Sequence, residues 1–196
     1  MSALSRSLAG EIHLWHARLD RGRWPDADAL PAAEQERAAE LIRPAARRRW
    51  VASRWALRKV LGGYLERDPA EIELSSGQRG KPRLAGGETA LRFNLSHSGE
   101  LALIAVAERL EVGVDVQRIG SRPVDFYAAW TRREAIAKCL GAGLWAPLPD
   151  APLAVVNFDP GAGYAAAVAS GGRVLPTLRH FAVEPGGESP GDRMAQ

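Results

Sequence analysis

Between Glu11 and Leu19 the apolar Ile12, Leu14 and Ala17 are set loosely among polar neighbours, a pattern that predicts a strand running into the turn-rich stretch 20–28. Residues 32–42 read as a helix. Pro44 opens another, because a first-turn position needs no backbone N–H, and this helix runs to Leu61, where Gly62 and Gly63 end it. Val51, Trp55 and Val60 face inward on it. Arg47, Arg54 and Arg58, seven and four residues apart, form one stripe that faces either solvent or phosphate. Short strands are predicted at 71–74, 91–95, 101–107 and 112–117, a third helix at 125–140 stopped by Gly141 and Gly143, and strands at 155–158, 163–169 and 177–183. The closing EPGGESPGDRMAQ carries too little apolar surface to order itself and reads as a tail.

With 196 residues, 46% of them hydrophobic, the chain can bury the core of one compact domain or of two closely packed lobes. No stretch approaches the roughly 20 apolar residues of a membrane span, and the N-terminus lacks the apolar core of a secretory signal, so a cytoplasmic protein is expected. The single cysteine, Cys139, cannot form an internal disulfide and reads as a small packing residue. The net charge of +3 is uneven: residues 1–92 hold 17 Lys+Arg against 12 Asp+Glu, and residues 93–196 hold 9 against 11. Such a balance suits an anionic partner without choosing among nucleic acid, a phosphorylated cofactor and an acidic protein.

Four short motifs carry candidate chemistry. In VGVDVQ the valines 112, 114 and 116 share one strand face, so Gly113, Asp115 and Gln117 share the other and display a carboxylate beside an amide. In WTRREAIAK, Glu134 and Lys138 are four residues apart on one helical face, with Trp130 a turn earlier; an exposed ion pair is the bland alternative. Ser96-His97-Ser98 closes a strand before Gly99, where its groups cap the turn or meet phosphate oxygens. The loop GQRGKPRL offers amides from Gly77 and Gly80 and the cations Arg79, Lys81 and Arg83, unless it is a plain hairpin connection. No P-loop, G-x-G-x-x-G or G-x-S-x-G pattern occurs. Asp115 with Glu134 would suffice to hold magnesium at a phosphoryl-transfer site, since that ion takes one or two carboxylates, waters and substrate phosphate oxygens.

GKPRL, FNLSHSGELALIAVA, VGVDVQ and WTRREAIAKCLGAGL stand in this order, with ERAAELIRPAARRRWVASRWALRKVL upstream and NFDPGAGYAAAVA downstream. Together they resemble the 4'-phosphopantetheinyl transferases, in the larger two-lobed monomeric branch that activates polyketide and nonribosomal peptide synthetases, over most of residues 11–183. The resemblance implies an α+β fold of pseudo-twofold symmetry, each lobe a small sheet on a long helix, with lobes at 1–108 and 109–183, a tail at 184–196, and coenzyme A in the cleft between lobes. It implies transfer of the 4'-phosphopantetheine arm from coenzyme A to a serine of an apo acyl or peptidyl carrier protein, releasing adenosine 3',5'-bisphosphate. It makes Asp115 and Glu134 magnesium ligands, with Gln117 beside them, Glu134 also the nearest base and Lys138 a phosphate-facing catalytic cation. Ser96 and His97 become contacts to the coenzyme A phosphates, and Arg49, Arg54, Lys81 and Pro82 nucleotide-holding positions.

Two departures from the family pattern are visible. Gln117 stands where a second acid is usual, and only RIGSRPVDFYAA separates the strand of Asp115 from Trp130, where most relatives carry a longer segment that helps cover the site and dock the carrier. These departures motivate one competing reading, a catalytically weak or silent member that binds coenzyme A or a carrier. A nucleic-acid-binding protein built on the arginine stripe is a more distant one; it leaves the second half of the chain unexplained and lacks interleaved aromatics, so no nucleic-acid partner is expected.

Overall fold

A computed structural model of the chain describes residue 8 and residues 10–76, 81–85, 89–143 and 152–186. The expected loop groups of Gly77, Arg79 and Gly80, and residues 187–196 of the expected tail, lie outside these. The elements are β1 (Glu11–Arg18), α1 (Ala32–Ala39), α2 (Pro44–Leu65), β2 (Leu74–Ser76), β3 (Pro82–Leu84), β4 (Leu91–Ser98), β5 (Leu101–Glu108), β6 (Val112–Arg118), α3 (Val124–Leu140), β7 (Leu153–Phe158), β8 (Tyr164–Gly171) and β9 (Thr177–Val183). This is an α+β protein. None of its described helices is long and apolar enough to cross a membrane.

Alternation along the strands builds the layers. Trp15, Ala17, Ile104 and Val106 turn one face of the sheet β4-β5-β1-β9 onto Trp55, Leu57, Val60 and Leu61 of α2. Ile12, Leu14, Leu103 and Ala105 turn its other face onto Val112, Val114, Val116 and Val168 of the sheet β6-β8-β7. Ala167 and Ala169 then meet Ala135 and Cys139 of α3. The order is therefore helix, sheet, sheet, helix, and each large aliphatic side chain fully buried in it contributes roughly 1.5–3 kcal/mol relative to exposure. The last strand, expected with the second half of the chain, pairs in parallel with β1, Ile12 opposite Leu178 and Trp15 opposite Phe181.

Several local expectations are corrected. Gly62 and Gly63 lie inside α2, which continues to Leu65 and ends at Glu66 with φ 53°. Gly62 serves the chain's return, because a Cβ there would stand 2.6 Å from the Arg67 carbonyl oxygen. α1 stops at Ala39, short of Ile42, which is exposed. The strand expected at 71–74 begins only at Leu74, after a 3-10 turn, Pro69–Glu71, whose Ala70 N–H donates to the Asp68 side chain.

The arginine stripe of α2 spends its charge on the protein itself, although Arg47 stays exposed. Arg47 donates to the carbonyls of Leu41 and Ala39, Arg54 pairs with Glu34, and Arg58, 1% exposed, reaches Glu34 at 2.8 Å and the carbonyls of Pro69 and Ile72. A carboxylate and main-chain oxygens take up this charge, as burial of a guanidinium requires.

Candidate active site

The two sheets meet along β4 and β6, and the period of two in FNLSHS makes the joint. Asn94, Ser96 and Ser98 point at β6 and accept its edge amides: Val114 N–H at 2.8 Å, Val116 N–H at 3.3 Å and Arg118 N–H at 3.0 Å. Side-chain oxygens thus do what carbonyls of a paired strand would do, satisfying donors that are costly to bury unpaired. The tripeptide 96–98 is accordingly part of strand β4 rather than of a turn, and the turn is Gly99-Glu100.

This seam fixes Asp115, which is 2% exposed. Its Oδ1 accepts from the Ser96 hydroxyl at 2.8 Å and from Lys138 Nζ at 2.6 Å, while Oδ2 accepts from Gln117 Nε2 at 3.2 Å. Lys138 also donates to Ser96 Oγ at 3.0 Å and to the Val114 carbonyl at 3.3 Å, so its ammonium has an acceptor for each of its three N–H groups. It reaches this position because α3 lies directly on β6 at Gly113, where a Cβ would overlap the Ala135 carbonyl oxygen and the Cys139 nitrogen. Glu134, one turn earlier on α3, is half-buried; loss of solvent raises its carboxyl above the usual range, Lys138 draws it back down and Asp115 pushes it up.

On the opposite face of β4, His97 stands exposed at the rim, yet crowded enough that desolvation, with the positive charges of Lys138 and Arg49, holds its imidazole below the ordinary range. Arg49 comes from the first turns of α2 and pairs with Glu100 in the β4–β5 turn, its Nε 2.7 Å from the carboxylate. Asp115, Gln117, Glu134, Lys138, Ser96, His97 and Arg49 are therefore gathered at one junction.

The remaining expected contacts lie elsewhere. Arg54, with Nε 2.7 Å from Glu34 Oε1 and its guanidinium over the Trp50 ring, is held within the first half of the chain. Lys81 passes behind α3, where burial lowers its ammonium from the ordinary range. Pro82 lines, with Lys81, Arg83, Leu91, Arg92 and Phe93, a cleft of about 260 Å³. Cys139 is a packing residue: it is buried, its thiol is pushed up to about 11 by desolvation, and it donates to the Glu111 carbonyl.

Sequence reasoning missed Asn94, Glu100 and Gly113 as parts of the site. The polar alternation of 94, 96 and 98 was the available signal for the first. Among the described residues no group of three His, Cys, Asp or Glu side chains could hold a metal, which leaves Asp115 and Glu134 with the Gln117 amide. Those are all hard oxygen donors, the set that magnesium takes and that zinc or copper does not prefer.

A family model described as 4'-phosphopantetheinyl transferase, N-terminal, matches residues 20–109. The 4'-phosphopantetheinyl transferase HetI of Nostoc sp. is 32% identical over 187 residues, covering 78% of each chain. The 4'-phosphopantetheinyl transferase AcpT of Salmonella typhi is 30% identical over 156 residues, 65% of this chain and 71% of the relative. The L-aminoadipate-semialdehyde dehydrogenase-phosphopantetheinyl transferase of Xenopus laevis is 24% identical over 189 residues, 74% of this chain and 62% of the relative.

Proposed function

The chain belongs to the 4'-phosphopantetheinyl transferase family, and on that footing we propose that it moves the phosphopantetheine arm of coenzyme A onto a serine of an apo acyl or peptidyl carrier protein. The observation that carries the reading is the Asp115–Lys138–Ser96 cluster, with Glu134 beside it and the His97 imidazole and the Arg49 guanidinium at its rim.

Asp115, Glu134 and Gln117 would hold magnesium, which when bound offsets the charge of the coenzyme A pyrophosphate. Arg49 and His97 receive the remaining phosphate charge at the mouth. Glu134, the nearest carboxylate, takes the proton of the carrier serine directly or through a metal-bound water. The serine oxygen bonds to the phosphorus that bears pantetheine, and the bond from that phosphorus to the adenosine bisphosphate oxygen breaks. Lys138 stabilises the negative charge on the departing adenosine 3',5'-bisphosphate. The fold divides into two lobes near residue 108 in pseudo-twofold arrangement, α2 on one sheet and α3 on the other, with β9 crossing back to the first. The protein works as a cytoplasmic monomer, with polyketide or nonribosomal peptide synthetases as the source of its carriers.

The short connector leaves Val124 and Phe126 exposed at the start of α3, Phe126 stacked on Trp130 at 6.1 Å and covered by Arg122 at 4.6 Å. This apolar patch with a basic edge is where we place the acidic carrier.

The test is intact-mass spectrometry of several apo carriers incubated with the protein, coenzyme A and magnesium. A gain of one phosphopantetheine that EDTA abolishes supports the reading. No gain on any carrier, with coenzyme A still bound in calorimetry, replaces it by the binding-only member that Gln117 and the short connector suggest.

A further inference from the structure

Lys81 enters the second half of the chain from the β2–β3 hairpin and spends its donors on main chain. Its Nζ is 2.9 Å from the Lys138 carbonyl, 3.4 Å from the Val112 carbonyl and 3.7 Å from the Glu111 carboxylate, which in turn pairs with Arg92 at 2.9 Å. The two carbonyls flank the point where α3 touches β6 without a Cβ between them, since Gly113 follows Val112 and lies under Ala135 and Cys139. The Lys138 carbonyl also belongs to the last turn of α3, where it accepts the Gly141 N–H at 3.4 Å and the end of the helix carries partial negative charge.

We propose that Lys81 is a positioning residue: by joining the carbonyls of Lys138 and Val112 it holds the last turn of α3 on the start of β6. It thereby sets the distance of Lys138 and Glu134 from Asp115. This role stands in place of the nucleotide-holding one that family resemblance suggested for this position. Loosening the clamp leaves every reacting side chain present but lets α3 ride off Gly113. The 2.6 Å contact of Lys138 with Asp115 then opens. The consequence for turnover rests on the transferase reading; the clamp itself does not.

Lys81→Met keeps the aliphatic stem and removes the donors, and Lys81→Arg restores a cation with reach to carbonyls. For Lys81→Met, steady-state transfer should show kcat lowered about 10- to 100-fold, the scale of an ångström misplacement, with KM for coenzyme A within about twofold of the parent. Hydrogen exchange at residues 137–142 should accelerate. Lys81→Arg should recover most of both. A tenfold rise in KM for coenzyme A, with or without loss of kcat, would show a nucleotide contact and overturn the proposal, as would unchanged exchange at 137–142. If the unaltered protein transfers nothing, the transferase reading is what has failed, and the exchange measurement alone decides the clamp.

Discussion

Replacing Gly113 by alanine adds one methyl group, and the structure puts that methyl into backbone. It would overlap the Ala135 carbonyl oxygen and the Cys139 nitrogen, neither of which can rotate away, so α3 must lift from β6 or the strand must bend. Overpacking of this kind costs typically about 1–3 kcal/mol. The consequence at the site is larger, because Lys138 sits one residue before Cys139 and holds Asp115 at 2.6 Å. A lift of about one ångström takes that pair beyond hydrogen-bond length and moves Glu134 with it, enough for a loss of about 100-fold in turnover. Urea unfolding followed by circular dichroism reads the first quantity, and carrier modification by intact mass reads the second. Gly113→Ala with parental stability and turnover would refute the argument that close helix approach positions the site. A variant destabilised by the expected amount but fully active would refute the second half alone.

Three further outcomes follow from the same contacts. Ser96→Ala removes a hydroxyl that donates to buried Asp115 and accepts from Val116 N–H, so unfolding should cost about 2 kcal/mol less than in the parent, and a loss below about 0.5 kcal/mol in a denaturant titration would contradict the seam. Arg58→Ala leaves Glu34 with Arg54 alone and takes the donor from the carbonyls of Pro69 and Ile72, so it should lower stability by about 1–3 kcal/mol, measured by the shift of the denaturation midpoint; a loss under about 0.5 kcal/mol would mean these contacts behave as if exposed. Because burial raises the Glu134 carboxyl, that group in the metal-free protein should titrate above the ordinary carboxylate range. Carbon-13 NMR of the carboxyl signals reads this, with Glu134→Gln identifying the resonance, and a Glu134 signal that titrates at or below the ordinary carboxylate value would contradict the burial argument.

Most of the elements were legible along the chain. The alternation of valines 112, 114 and 116 placed Asp115 and Gln117 on a common face, and the structure finds Asp115 there facing α3 with Gln117 donating to it. The i, i+4 spacing of Glu134 and Lys138 put both on one side of a helix, and both face Asp115. Cys139 as a packing residue was read correctly from its apolar helical context. These are consequences of period and spacing, which a strand or a helix converts into direction without help from the rest of the molecule.

Whatever depended on a partner distant in the chain was decided only by folding. A stripe of arginines looks the same in sequence whether it meets water, phosphate or, as here, Glu34 and the carbonyls at 39, 41, 69 and 72. Gly62 and Gly63 carry the mark of a helix stop, yet both lie inside α2, and the need Gly62 meets is a chain returning past the helix. Nothing beside Lys81 in the chain announces the end of α3, whose Lys138 carbonyl it meets. The pattern of residues determined which faces were apolar and which side chains shared them. Tertiary structure determined which charge met which, because burying a charge is tolerable only beside a compensating group, and that group is found in space rather than along the chain.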